Sequence, residues 1–107
     1  MIYQFCCAPV VLGDNLRHPF MTLNGSNAIT APDATPTYAI RTAAGLGDGT
    51  DLVTGTCSAI SGITSGYYVG HAITTGNGFA AGVNYYIIIT FAISATTRRY
   101  LGHLPVA

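Results

Sequence analysis

Tyr85-Tyr86-Ile87-Ile88-Ile89-Thr90-Phe91-Ala92-Ile93-Ser94 sets the fold class of this chain. Tyr85, Ile87, Ile89, Phe91 and Ile93 recur at every second position, the period at which a strand presents one face. β-branched and aromatic residues suit a pleated surface. The intervening Tyr86 and Ile88 make the second face apolar as well. A central strand of a two-layer sandwich has one core face and one wet face. A second apolar face therefore predicts cover from elsewhere, and in 107 residues a neighbouring subunit is the economical source. Residues 2–12 read as another such strand, with Ile2, Val10 and Leu12 on one side and Tyr3, Phe5 and Val11 on the other. The interface is accordingly expected at Ile2, Tyr3, Phe5, Val11, Tyr86 and Ile88.

Outward from these two stretches, period-two alternation recurs between turn-rich gaps and no helical period competes with it. Pro36-Thr37-Tyr38-Ala39-Ile40-Arg41-Thr42 places Tyr38 and Ile40 opposite Arg41. Residues 67–75 alternate in the same way, and residues 52–60 and 98–106 read as strands of weaker pattern. Phe20-Met21-Thr22-Leu23 is a short strand ending at Asn24-Gly25, a favoured hairpin dipeptide. The connectors are rich in Gly, Asn, Asp and Thr. About seven short strands at this spacing predict an all-β fold, an immunoglobulin-like antiparallel β-sandwich, with a jelly roll or small barrel as the alternatives. One domain over residues 1–107 is expected, without a linker or an internal repeat.

Composition narrows the function. Charged residues are 7 % of the chain, against roughly 25 % in an ordinary domain. The basic residues are four arginines and the acids four aspartates, for a formal net charge of zero, while 50 % of residues are hydrophobic. Such a chain is either a sparingly charged monomer or one whose surface becomes interface on assembly, and the second reading is preferred. Nucleic-acid binding lacks its electrostatic footprint, because Arg98-Arg99 is the one basic cluster and a strand splits the pair between its faces. The N-terminus has no basic n-region, and the apolar run 83–95 is interrupted and shorter than the ~20 residues of a spanning helix. A soluble chain made in the cytosol, off the membrane, is expected. Cys6, Cys7 and Cys57 should then be reduced thiols, the adjacent pair facing opposite ways.

Motifs for chemistry fail on spacing or context. His18, His71 and His103 lie far apart and form no metal-ligand pattern with the cysteines. His71 shares a face with Val69 and Ile73 and reads as a core or interface histidine. Gly47-Asp48-Gly49-Thr50-Asp51-Leu52-Val53 partly matches a calcium nonapeptide, but that motif works only as stacked copies. Gly76-Asn77-Gly78-Phe79-Ala80-Ala81-Gly82 lacks the nucleotide-loop spacing and sits between strands. It reads as a turn with Phe79 plugging the end of the sandwich. Gly62-Ile63-Thr64-Ser65-Gly66 is not a nucleophile elbow, and the four aspartates all fall in turn-like segments. No enzyme, no cofactor, no metal and no small-molecule substrate is expected. A glycan-binding module using Asp48 and Asp51 with Tyr67, Tyr68, Tyr85 or Tyr86 is the rival from another class.

The segment Leu23-Asn24-Gly25-Ser26, Ile29-Thr30 and Asp33-Ala34-Thr35-Pro36-Thr37-Tyr38-Ala39-Ile40-Arg41 resembles the opening of small β-sandwich domains in tailed-bacteriophage virion proteins. Gly78-Phe79-Ala80-Ala81-Gly82-Val83-Asn84-Tyr85-Tyr86-Ile87-Ile88 is similar to a hairpin of the same domains. The likeness covers roughly residues 23–93, and the N-terminal domain of upper-baseplate proteins is the nearest kind. It implies a virion structural protein assembled in the bacterial cytoplasm. A free-standing copy suggests an oligomeric capsid decoration or cement protein, with a tail, collar or baseplate adaptor as the alternative. The implied partners are the major capsid protein or tail and collar proteins, and other copies of the chain.

Overall fold

The computed structural model describes residues 2–5, 10–42 and 51–107, the first of these as backbone. Among the described residues eight strands follow in order: β1 (Ile2–Phe5), β2 (Asn15–Met21), β3 (Thr37–Arg41), β4 (Asp51–Thr56), β5 (Ser58–Ala59), β6 (Gly66–Ala72), β7 (Asn84–Ile93) and β8 (Thr96–Pro105). They form a five-stranded sheet ordered β1-β8-β7-β3-β4 and a three-stranded sheet ordered β2-β6-β5. In immunoglobulin lettering these are G-F-C-C′, with the first strand added at the G edge, facing B-E-D. The expected sandwich is therefore present. Its pairings are antiparallel except at β1, which runs parallel to β8 with Ile2 beside Arg99 and Phe5 beside Gly102.

The comb on β7 is the spine of the core. Tyr85, Ile87, Ile89, Phe91 and Ile93 are buried and meet Tyr38 and Ile40 of β3 and Tyr100 and Leu104 of β8. The facing sheet contributes Leu16 and Val69, with Ile73 just beyond it, and Phe20 and Tyr67 pack against this cluster. Phe79 closes one end as expected, 4.9 Å edge-on from Tyr85 and 6.2 Å from His71 between ring centroids. The Tyr85 hydroxyl accepts from the Ala80 N–H at 2.8 Å, so the core aromatic also fixes the turn that carries the plug.

Three strand readings change. The stretch 2–12 is not strand to its end: Val10 makes an isolated parallel bridge to Val106 and a turn begins at Leu12, while residues 6–9 lie outside the described residues. Residues 52–60 split at Cys57, whose N–H donates to Pro36 O at 2.9 Å just before the chain passes to the other sheet as β5. Strand β2 begins five residues ahead of the expected Phe20. It contains Pro19, which the open edge tolerates. The Thr22 N–H reaches Ser65 O at 3.1 Å, continuing the β2–β6 register. Even-numbered residues of β2 thus bond to β6, and the odd ones, Pro19 among them, aim their backbone groups at the free side.

The β7–β8 hairpin turns on Ser94 and Ala95, both at positive φ (49° and 64°). A two-residue connection of this kind matches the strand twist but favours Asn-Gly. Here Asp33 holds it: Oδ1 accepts from the Ser94 N–H at 3.0 Å and Oδ2 from the Ala95 N–H at 2.8 Å. The Asp33 N–H in turn donates to Ala92 O at 2.7 Å.

Candidate interaction surface

Of the expected interface residues, Val11, Tyr86 and Ile88 are the ones with described side chains. The side chains of Ile2, Tyr3 and Phe5 lie outside the described residues, as do Cys6, Cys7 and Asp48. Val11 is 58 % exposed beyond the Val10 bridge. Ile88 is only 4 % exposed within the single chain. Its cross-strand neighbours on that face are Ala39 and Leu101. Tyr86 is half-buried and packs edge-on against His103 with centroids 4.8 Å apart. Ile88 is thus buried already in the single chain and does not stand as an open apolar face.

An apolar concavity lies instead where β2 leaves its sheet. After Met21 the chain turns through a small hairpin in which Leu23 bridges Ile29. Asn24 nucleates it, its Oδ1 accepting from the Ser26 and Ala28 N–H groups at 2.8 and 3.1 Å. Buried Thr22 ties off the base, donating from Oγ1 to Thr30 O at 2.6 Å. Tyr100 of β8 reaches across the sandwich and staples the segment, donating to Met21 O at 2.8 Å and accepting from the Leu23 N–H at 3.2 Å. His18, Phe20, Met21, Leu23, Ile29 and Tyr100 then line a groove of about 590 Å³. Met21 and Ile29 stand 38 % and 54 % exposed at its lip. Burial holds the His18 imidazole below the ordinary histidine range, so it favours the neutral ring.

This groove went unread in the sequence, although the signal was present. Met21, Leu23 and Ile29 flank an Asn-Gly turn, and a tight turn brings such residues together at a sheet end where no third layer covers them.

Several residues offered for a sugar site are engaged otherwise, while Asp48 lies outside the described residues. Tyr85 is inside the core, and Asp51 pairs with the Arg41 guanidinium. Tyr67 stacks on Phe20 inside the sandwich, whereas Tyr68 faces outward with Arg17 lying 4.2 Å over its ring. A smaller depression of about 350 Å³ adjoins Arg17, Tyr68 and Gly70.

Cys57 sits beside Tyr38 under β3. Its burial pushes the thiol up to about 12, far from a reactive thiolate. Tyr38 is also raised, first by burial and then by the neighbouring Cys57. The Tyr38 hydroxyl lies 3.2 Å from Gly70 O and 3.1 Å from His71 Nδ1, while His71 Nε2 is buried without a protein partner. With its one proton donated to Gly70 O, the Tyr38 hydroxyl accepts a hydrogen bond from His71 when the ring is protonated at Nδ1. That tautomer leaves an unpaired lone pair rather than an unpaired N–H. Gly55 makes this possible, since a Cβ there would stand 2.6 Å from the Tyr38 hydroxyl. The arrangement is a polar tie between the two sheets. Among the described residues no group of His, Cys or Asp converges as a metal set would.

Searches against protein-family models, curated proteins and solved structures found no match to this chain.

Proposed function

We propose that this chain is a non-enzymatic structural protein of a tailed-bacteriophage virion, an oligomeric decoration or cement protein seated on the capsid. The major capsid protein and further copies of the chain are its partners. The observation that carries this reading is the apolar groove at the end of β2, on a chain of zero net charge whose charged residues are few. A contact core depleted of charge and rimmed by aromatic and Met side chains is what a protein partner needs. The likeness of residues 23–41 and 78–88 to virion sandwich domains supports the choice of particle. In that likeness Asp33 and Phe79 have structural work: one clamps the β7–β8 turn and the other plugs the sandwich.

A tail or collar adaptor is the second reading, sharing the same groove and differing in where on the particle it docks. The test is Ile29→Glu, which puts a charge at the exposed lip and leaves the core intact. Particles assembled with this variant should carry far fewer copies than with the parent chain, while circular dichroism of the free variant is unchanged. Equal incorporation would remove the groove from the contact.

A further inference from the structure

We infer that β4 is a self-pairing edge, through which two copies of this chain join antiparallel into one continuous sheet. An edge strand presents unpaired N–H and C=O groups, and proteins that do not use such an edge guard it. The edges of the smaller sheet are guarded. On β2, Pro19 interrupts the outward row of N–H groups, with Arg17 beside it, and β5 is two residues long. Six-residue β4 carries neither Pro nor Lys nor Arg, and its bulge, where the register steps from Val53 beside Ile40 to Asp51 beside Arg41, lies outside the stretch Thr54–Thr56. Among the described residues it pairs only with β3.

The register fixes which groups are free. Cys57 N–H bonds to Pro36 O, so the bonded pairs with β3 continue through Gly55 beside Tyr38 and Val53 beside Ile40. Thr54 and Thr56 therefore turn both N–H and C=O away from β3, and both residues are exposed.

This pattern is complementary to itself. A two-fold axis at Gly55 sets Thr54 of each copy opposite Thr56 of the other and closes four backbone hydrogen bonds. Threonines facing one another across strands are a favourable pair. At the axis the two glycines meet in a closely spaced pair with no side chain to clash, their inner sides filled by each copy's own Tyr38. Asp51, the one charge on β4, lies toward one end of the strand, so the two copies hold theirs at opposite ends of the joint. With zero net charge on each chain, no long-range repulsion opposes approach. Four hydrogen bonds over so short an edge give a weak pair alone. On a shell that already holds copies side by side, effective concentration strengthens it. The role on a shell rests on the proposed function, whereas the pairing itself is a property of the purified chain.

Sedimentation equilibrium from ~10 µM to ~1 mM, the range of a weak complex, reads it directly. The parent chain should rise from 11.1 kDa toward twice that mass. Thr54→Pro removes an outward N–H without touching the β3 ladder and should stay at the monomer mass. Ile29→Glu should associate like the parent, which separates this joint from the groove. Amide exchange covers the case in which the proline disturbs the strand. In the parent chain the Thr54 and Thr56 amides should slow at least ~10-fold between the two concentrations. A parent chain that stays monomeric, a folded Thr54→Pro that still associates, or Thr54 and Thr56 amides indifferent to concentration would each overturn the inference.

Discussion

Replacing Ala95 by glycine should stabilise this protein, an unusual direction for a substitution in a hairpin. Ala95 is held at φ 64°, where an L-residue pays about 1–2 kcal/mol that glycine does not. Glycine returns about 0.5–1 kcal/mol of that through its freer unfolded chain. The two terms leave a gain of up to about 1.5 kcal/mol, centred on ~0.8, or an increase in Tm of roughly 3–6 °C at that centre for a domain of this size. The Asp33 carboxylate supplies the opposing force, because its two bonds to the Ser94 and Ala95 N–H groups hold the turn in place. Asp33→Ala should therefore cost about 1–3 kcal/mol, the range for hydrogen bonds to a charged group, reduced toward the lower end by exposure. Because both changes act on one turn, they should not add: Ala95→Gly should recover more in the Asp33→Ala background than in the parent. Urea unfolding of the four proteins of this cycle measures all of these terms. An Ala95→Gly variant less stable than the parent would refute the reasoning, since the strain at Ala95 would then be smaller than the entropy glycine costs.

Two further predictions concern titratable groups. Cys57, with its thiol near 12 against an ordinary 9.0, should alkylate about a thousand-fold more slowly at pH 8 in the folded chain than in urea, when followed by peptide mass spectrometry. His18 is depressed by burial below the 6.5 of the unfolded chain, so between those two values the unfolded state binds more protons. Its contribution to stability is present above pH 6.5 and lost as pH falls toward the folded value. Urea midpoints should decline from pH 7 to pH 5, and His18→Gln should flatten that decline.

Much of the sandwich is legible in the sequence because its signals are local. The comb 85–93 and the alternation at Tyr38 and Ile40 state which side chains face the core, and Asn24-Gly25 states where a hairpin turns. Other features depend on tertiary context. The split at Cys57 is invisible because 51–60 is continuously strand-forming, and the break arises where the backbone bonds to Pro36 and crosses between sheets. The first half of β2 is masked by Arg17, His18 and Pro19, residues that look unlike a strand until the edge position excuses the proline. Two-sided apolarity at Ile88 does not state by itself what covers the residue, which is buried within the single chain. The groove is a tertiary object, formed when Tyr100 staples Met21 and Leu23 from a strand almost eighty residues away. Its residues are legible one at a time and its concavity is not.

Electron cryomicroscopy of phage particles from cells producing the chain decides whether the sandwich is seated on a virion, as proposed. Density for it is expected at regular positions on the capsid, with the groove lined by Met21 and Ile29 turned toward the shell. Particles that purify without the chain, leaving it free in the lysate, would contradict it.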